Sequence, residues 1–172
     1  DILSSQSNLA GYKAVIEAVD KLSSAVPMMM TAAGTIAPAK ALILGAGVAG
    51  LQAIATAKRL GPVVFASAVR PQVKEQVESL GGRFVEVKSD ENFETAGGYA
   101  RETSAEYKQK QQEAVAEQLA KTNFAVTTAL IPGLPAPRLI TKAMLSAMPA
   151  GAVVVDMASS AGGHVEGAED GK

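Results

Sequence analysis

The chain has 172 residues, of which 48% are hydrophobic and 19% charged, a composition that can build a core and excludes disorder. Its formal net charge of −1 gives no electrostatic reason to expect nucleic acid or an anionic membrane surface as a partner. The lack of cysteine excludes disulfides, thiolate metal sites and cysteine nucleophiles, and one histidine excludes a multi-histidine metal site. No apolar run approaches the roughly 20 residues that span a bilayer. Because the chain opens at Asp1 without an initiator Met, we expect a piece of a longer polypeptide.

An amphipathic helix is predicted first, over residues 7–24, after Ser and Asn residues suited to capping. The residues at roughly helical spacing are Leu9, Val15, Ile16, Val19 and Leu22. Three methionines follow at positions 28–30. They form either a flexible surface that contacts a ligand or a filling where the connection crosses the core, and the second interpretation is favoured.

Residues 40–54 predict a short buried strand, a glycine turn of the form Gly-x-Gly-x-x-Gly, and a helix that begins inside the turn. Each glycine has a separate role. Gly45 makes the tight turn, Gly47 lets a pyrophosphate approach bare backbone, and Gly50 lets the helix pack closely on the strand. The first helical turn leaves N–H groups unpaired at the positive end of the helix dipole, which favours a phosphate.

Further strands are predicted at residues 63–67, 84–87, 124–129 and 152–156, and the helices between them at residues 72–80, 104–121 and 138–148. Strands that alternate with helices indicate βαβ units and a parallel sheet whose ligand edge is formed by the strand carboxyl ends. The predicted fold is therefore an α/β, Rossmann-type, doubly wound parallel sheet in three layers, with an N-terminal linking helix.

Residues 88–103 lack an apolar period. They form either a solvated loop or a lid that folds over a ligand, with Gly97-Gly98 as hinge beside Tyr99. Asp156 ends a predicted buried strand and either orients a ligand or caps the following loop, with the structural role favoured. His164 lies among glycines, which predicts a surface histidine rather than a catalytic one.

Few residues suit acid–base chemistry, and direct hydride transfer between two nicotinamides fits this shortage. A hydride leaves one C4 and arrives at another, so the site needs positioning and exclusion of water more than a proton shuttle. About twenty residues beyond the glycine turn, where an acid normally binds the adenosine ribose of NAD, the chain reads Ser67-Ala68-Val69-Arg70. Arg70 without an acid suits a 2′-phosphate, so these residues alone leave NAD and NADP equally open.

Five segments together closely resemble one family. They are residues 1–12, the Met-Met-Met-Thr-Ala-Ala-Gly run at 28–34, the glycine turn, the Ala-Gly-Gly-Tyr segment at 96–99 and Thr-Thr-Ala-Leu-Ile-Pro-Gly at 127–133. The chain resembles the NAD(H)-binding domain I (alpha subunit) of proton-translocating NAD(P) transhydrogenases and, more distantly, alanine dehydrogenases. The resemblance implies a linking helix and connection at residues 1–36 and a dinucleotide-binding Rossmann subdomain at 37–172, within a larger two-subdomain protein.

The resemblance also implies roles for individual residues. It places Asp1 and Ser4 near the nicotinamide, Ala68, Val69 and Arg70 at the adenosine ribose, and Gly98 and Tyr99 in a mobile lid. The nucleotide contacts that it further implies are Gly45, Gly47, Val48, Ala49, Gly50, Gln111 and Leu130. It implies neither an acid–base residue nor a metal ligand in the site.

The activity implied is binding of NAD(H) and direct hydride transfer to NADP(H) on a separate domain, coupled to proton translocation across a membrane. The implied partners are that NADP(H)-binding domain, a membrane domain and a second copy in a homodimer. The implied place is an aqueous domain peripheral to the inner membrane, on the bacterial cytoplasmic face or the mitochondrial matrix side. The fragment alone is expected to be inactive. Two alternatives stay open: an NAD-dependent alanine dehydrogenase acting on pyruvate and ammonia, and a non-catalytic nucleotide-binding module.

Two residues depart from the family pattern. Ala68 stands where the family usually has Asp, which removes two charge-assisted hydrogen bonds and weakens NAD binding by roughly 1–3 kcal/mol if nothing replaces them. His164 stands where the family tends to have Asn. The first departure concerns affinity and cofactor preference rather than the fold.

Overall fold

The computed structural model describes residues 2–69, 71–87, 105–129 and 133–171. The strands of these ranges are β1 (Met29–Thr31), β2 (Gly34–Ile36), β3 (Lys40–Leu44), β4 (Val63–Ser67), β5 (Arg83–Phe84), β6 (Phe124–Thr127) and β7 (Val153–Asp156). The helices are α1 (Ile2–Lys21), α2 (Val48–Leu60), α3 (Lys74–Ser79), α4 (Ala105–Leu119) and α5 (Lys142–Ser146). Short 3₁₀ turns at Pro71–Val73 and Ser159–Ala161 complete the regular structure of these ranges.

Five parallel strands form the central sheet in the order β5-β4-β3-β6-β7. The chain begins the sheet in the middle at β3, adds β4 and β5 on one side, and then crosses to add β6 and β7 on the other. The carboxyl ends of β3 and β6 therefore flank the point where the strand order reverses, which is where open α/β sheets bind ligands. This arrangement confirms the predicted Rossmann-type fold.

The sheet is buried on both faces, which explains why its middle strand is an apolar run without alternation. Ala41 and Ile43 point into a core shared with α1 and α2, whereas Leu42 and Leu44 point into a second core shared with α4 and α5. All four side chains are buried. The molecule thus has three layers, with α1, α2 and α3 on one face of the sheet and α4 and α5 on the other.

The first helix differs from its prediction, because it begins at Ile2 and ends at Lys21 rather than covering residues 7–24. Ser7 and Asn8, which were expected at its start, lie inside it. Leu9 was expected on the apolar face and is 61% exposed. The buried face is instead narrow and built from small residues, namely Gly11, Ala14, Val15 and Ala18. Small side chains allow α1 to lie close against α2.

The interpretation of the methionines as core filling is wrong. Met29 and Met30 belong to β1, which pairs with β2 as an antiparallel hairpin whose six strand residues are all exposed. Thr31 accepts a hydrogen bond at Oγ1 from the Ala33 N–H at 3.2 Å and so shapes the turn of this hairpin. The connection between α1 and the central sheet therefore leaves the core and forms a projection of its own.

The other predicted elements are present, and most of them are shorter than predicted. The third sheet strand, expected at 84–87, has only two residues in β5, and the helix expected at 138–148 is reduced to α5, capped by Thr141. Residues 88–103, considered as a loop or a lid, lie outside the described residues, and so do residues 130–132 of the Thr-Thr-Ala-Leu-Ile-Pro-Gly segment. Within the described ranges, no helix is both long enough and apolar enough to cross a membrane.

Candidate functional site

The glycine turn after β3 has the geometry that its sequence predicts. Gly45 has φ +113°, a region that residues with a side chain rarely adopt, and its N–H donates to the Ser67 carbonyl at 2.8 Å. A Cβ on Gly45 would lie 2.5 Å from Thr128 Oγ1. The turn is therefore held between the ends of β4 and β6, and glycine is required at this position both for its φ and for space.

Gly50 closes the turn against the helix. A Cβ at this position would lie 2.0 Å from the carbonyl oxygen of Gly45, so that no side chain can be accommodated without opening the turn. This close approach lets α2 start directly over the end of β3. The role predicted for Gly50, close packing of helix and strand, is confirmed.

Gly47 is different, because a Cβ there would meet no atom within 4 Å. It is the N-cap residue of α2, with ordinary extended dihedral angles (φ −79°, ψ −166°) and no side chain to satisfy the helix. The first turn of α2 contains no acid, and Gly47, Val48 and Ala49 present bare backbone at its positive end. An open backbone face at the start of a helix fits the pyrophosphate of a dinucleotide.

Thr128 belongs to the Thr-Thr-Ala-Leu-Ile-Pro-Gly segment, but no role of its own is predicted for it from the sequence. Its N–H donates to the Leu44 carbonyl at 2.8 Å, and its Oγ1 donates to the same oxygen at 3.3 Å. The same hydroxyl lies against the positions where Gly45 and Gly50 would carry side chains. Thr128 therefore fixes the turn from the β6 side. The signal available was its place at the end of a buried strand next to the switch point of the sheet.

Ala68 and Val69, which follow β4, form the predicted ribose corner. The structure places Gln111, another predicted site residue, in contact with this corner. Ala68 follows β4 and is half-buried, and Val69 beside it is 56% exposed. Gln111, on α4, donates from Nε2 to the Ala68 carbonyl at 2.8 Å. These residues are 43 positions apart in the chain, and the sequence gives no sign of their contact.

Ser4 and Val48 are also brought together, since both line one groove of about 610 Å³. The groove runs between the start of α1, the exposed side of α2, and α3. Its lining is largely apolar and includes the polar side chains of Asn8, Gln52 and Gln76. Ala49 lies against α1 on the same side, with its carbonyl oxygen facing Gly11. The remaining predicted residues, namely Asp1, Arg70, Gly98, Tyr99 and Leu130, lie outside the described residues.

Asp156 has the structural role that was favoured for it. Its carboxylate accepts four hydrogen bonds, from Thr127 Oγ1 at 3.0 Å and from the N–H groups of Ala158, His164 and Val165 at 2.9, 2.8 and 3.1 Å. The side chain thus ties the end of β6 and the chain beyond β7 to one another. These two segments border the carboxyl edge of the sheet.

The prediction that His164 lies on the surface is wrong, because its side chain is fully buried. Its Nδ1 is 3.0 Å from the Pro137 carbonyl oxygen, and since a carbonyl only accepts, we assign the proton to Nδ1. Its own carbonyl accepts from the N–H groups of Leu139 and Ile140. Nε2 is buried with no hydrogen-bond partner among the described residues. His164 therefore anchors the loop after β6 to the loop after β7.

The titratable groups of the described residues whose pKa values are shifted lie away from the glycine turn. The described residues contain no group of three or more His, Asp or Glu side chains placed to hold a metal ion. Exposed ion pairs raise the pKa of Lys13 and Lys74 and lower that of Glu17, through hydrogen bonds with their partners. Burial raises the pKa of Tyr107. These groups belong to α1, α3 and α4 rather than to the glycine turn.

Comparison with known proteins agrees with this geometry. Residues 14–172 match the family model described as alanine dehydrogenase/PNT, C-terminal domain. The chain is 59% identical over 174 residues to an NAD(P) transhydrogenase alpha-subunit polypeptide of Rhodospirillum rubrum, covering 100% of this chain and 45% of that protein. The chain thus spans a little under half of this relative's length.

Solved structures show the same relationship. A transhydrogenase from Sinorhizobium meliloti superposes with a TM-score of 0.88 at 56% identity, covering 100% of this chain and 45% of that one. An L-alanine dehydrogenase shares the fold, with a TM-score of 0.73 at 22% identity over 97% of this chain and 42% of that one. With the glycine turn, the sheet order and the family match in agreement, the chain belongs to the family of alanine dehydrogenase/PNT C-terminal domains.

Proposed function

We propose that this chain holds NAD(H) for direct hydride transfer to NADP(H) bound on a separate domain, as the NAD(H)-binding domain of a proton-translocating transhydrogenase. The observation that carries the proposal is the bare Gly47 backbone at the start of α2, in a turn that Gly45 and Gly50 keep closed. The 59% identity to a transhydrogenase alpha subunit supports this activity over that of the more distant alanine dehydrogenases.

Each element of the turn has a task in binding. The N–H groups of Val48, Ala49 and Gly50 donate to the pyrophosphate, because the first turn of a helix has no carbonyl partners for them. Thr128 keeps the turn in place through its two hydrogen bonds to Leu44. Gln111 and the backbone of Ala68 and Val69 meet the adenosine ribose.

The bound nucleotide supplies the hydride, with its two electrons, from C4 of its nicotinamide. The C–H bond at that carbon breaks, a C–H bond forms at C4 of NADP⁺, and no proton is exchanged with water in this step. The protein therefore needs no general base here. Its contribution is to hold the nicotinamide in line with its partner and to exclude water.

Residues predicted from the family resemblance complete the proposal. Asp1 and Ser4 are assigned to the nicotinamide end, and Ser4 shares a groove with Val48 of the phosphate turn. Gly98 and Tyr99 are assigned to a lid that closes over the nucleotide, and Arg70 and Leu130 to further contacts with it.

The proposed assembly contains an NADP(H)-binding domain, a membrane domain and a second copy of this domain in a homodimer. Coupling to proton movement belongs to that assembly rather than to this chain alone. The domain itself is proposed to lie in the aqueous phase at the inner membrane. In sealed membrane vesicles that contain the complete protein, collapse of an imposed proton gradient is expected to change the rate of transhydrogenation.

An isotope experiment tests the activity. The complete protein is incubated with NADP⁺ and with NADH deuterated at the transferred C4 position, and the products are analysed by mass spectrometry. Direct transfer predicts deuterium in NADPH and none in the solvent. Oxidation of NADH that requires pyruvate and ammonia would instead identify an alanine dehydrogenase. Binding of NADH without either reaction would identify a non-catalytic module.

A further inference from the structure

The ribose corner lacks the acid that normally selects NAD. In dinucleotide-binding sheets, a carboxylate at the end of the second strand accepts hydrogen bonds from both ribose hydroxyls and repels a 2′-phosphate. Here the second strand is β4, and the residues at its end are Ser67, Ala68 and Val69. Ser67 is buried, so Ala68 and Val69 are the described residues that this end of the strand offers to a ligand.

Gln111 occupies the neighbourhood of the missing carboxylate. Its Nε2 donates to the Ala68 carbonyl at 2.8 Å. Since that oxygen can only accept, the amide nitrogen must be the atom that faces it, whichever way the amide is drawn. The carboxamide is thereby oriented, and its Oε1 is left as a neutral acceptor. A ribose hydroxyl can donate to this oxygen, but the amide carries no charge with which to repel a phosphate.

Among the residues that the structure describes, the neighbouring strand does not restore the charge. The register of β4 and β5 ends with Ala66 opposite Phe84, and Glu86 follows two residues after Phe84, as Ala68 follows Ala66. Its carboxylate forms an ion pair with the ammonium group of Lys74. On α4, Glu106 likewise pairs with Lys110, at 3.0 Å. Glu86 and Glu106 are therefore each matched by a cation.

Space also favours a larger ligand. Alanine at position 68 leaves free the volume that the carboxylate of an aspartate would take, and the next side chain, Val69, is 56% exposed. We propose that this corner accepts 2′-phosphorylated dinucleotides such as NADPH with an affinity close to that for NADH. The proposal rests on the dinucleotide-binding function proposed above and concerns which nucleotide that site takes.

Substitution at Ala68 provides the test. The complete polypeptide that carries this domain is titrated calorimetrically with NADH and with NADPH, as wild type, Ala68→Asp and Ala68→Asn. Sites on any other domain contribute equally to the three titrations, so the differences isolate this corner. Asn has the shape of Asp without its charge and is the matched control.

For the wild type we expect dissociation constants for the two nucleotides within about tenfold of each other. Ala68→Asp is expected to tighten NADH and weaken NADPH by about tenfold each, the size of one charge-assisted hydrogen bond or its electrostatic opposite. Ala68→Asn is expected to leave the ratio within about threefold of the wild type, since it adds no charge. Melting curves with and without each nucleotide give a second readout of the same affinities.

Gln111→Glu tests the corner from the side of α4, in case Ala68→Asp does not fold. It is expected to weaken NADPH more than NADH. If neither charged variant changes NADPH binding while the wild type binds NADH, the inference is overturned and the proposed function stands. If the wild type binds both nucleotides within about tenfold and Ala68→Asp separates them, but the isotope experiment shows no direct hydride transfer, the inference is supported and the proposed function is overturned. If the wild type binds NADPH but not NADH, both are overturned.

Discussion

The carbonyl oxygen of Gly45 lies 2.0 Å from the point where a Cβ on Gly50 would stand, so the first and last glycines of the turn touch backbone to backbone. The middle glycine, Gly47, has nothing within 4 Å of its own Cβ position. The three glycines of one motif thus meet different requirements. Two of them keep the turn folded, and one keeps its surface bare.

This difference predicts opposite results for two alanine substitutions. Gly50→Ala is expected to lower the free energy of unfolding by about 3 kcal/mol or more, because its methyl group meets backbone that cannot move aside. Gly47→Ala is expected to change stability by less than about 0.5 kcal/mol and to weaken NADH binding about tenfold, because its methyl group covers the phosphate face. Urea denaturation and NADH titration measure the two quantities, and equal stability of both variants would contradict the prediction.

Asp156→Asn is expected to destabilise the protein by about 3 kcal/mol. The carboxylate accepts four hydrogen bonds, and an amide at this position turns one acceptor oxygen into a donor that faces N–H or O–H groups. Urea denaturation measures the loss. Ser159→Ala removes one exposed hydrogen bond to Asp170 and is the control, with an expected cost below about 0.5 kcal/mol. A wild-type stability for Asp156→Asn would refute the anchoring role of this carboxylate.

The buried side chain of His164 predicts a graded series. His164→Ala removes the hydrogen bond to Pro137 and leaves a cavity, with an expected loss of about 2–4 kcal/mol. His164→Asn keeps a donor near the position of Nδ1 and is expected to recover about 1 kcal/mol of that loss. Thermal or urea unfolding measures the stabilities of the wild type and the two variants and ranks them. The anchoring role fails if the Asn variant is no more stable than the Ala variant.

A pH dependence follows from the ion pair on α1. Lys13 hydrogen-bonds Glu17 at 2.8 Å and holds the pKa of the carboxyl below its ordinary value of 4.5. Because folding lowers this pKa, the pair stabilises the folded protein above about pH 4.5 and stops doing so as the pH falls through the folded value. Both side chains are exposed, so the effect is small and screened by salt.

Comparison of the wild type with Glu17→Gln checks this dependence. We expect the wild type to have the higher urea midpoint at pH 7 in low salt, and the difference to shrink as the pH falls below 4.5. Addition of about 1 M salt at pH 7 is expected to remove most of the difference, since the Debye length then falls to about 3 Å. A difference in midpoint that did not shrink on acidification would have to come from something other than the charge.

The sequence predicts those regions of the fold in which local chemistry and tertiary packing agree. The apolar run at β3 predicts a buried strand. The three glycines that follow β3 predict a turn that binds phosphate. The start of α1 is missed because its first turns are polar and exposed, so that no apolar period marks them. The methionine hairpin is missed because hydrophobicity gives no sign that a segment leaves the core.

Contacts between distant segments of the chain are the other class that cannot be read from the sequence. His164 lies between glycines, which predicts exposure, and it is buried because Asp156 and Pro137 hold it from elsewhere. The hydrogen bond from Gln111 to Ala68 is of the same kind. The family resemblance indicates that both residues meet the nucleotide, but only the packing of α4 beside β4 shows that one orients the other.

The contact between Gly11 and Ala49 has a mechanical consequence. A Cβ on Gly11 would lie 2.1 Å from the Ala49 carbonyl oxygen, so α1 rests directly on the backbone of the first turn of α2. Because of this contact, α1 cannot rotate about its axis or shift along it without displacing the first turn of α2. Force applied along α1 would therefore displace the first turn of α2, whose N–H groups are proposed to bind the nucleotide phosphates, so that movement of α1 would alter phosphate binding there.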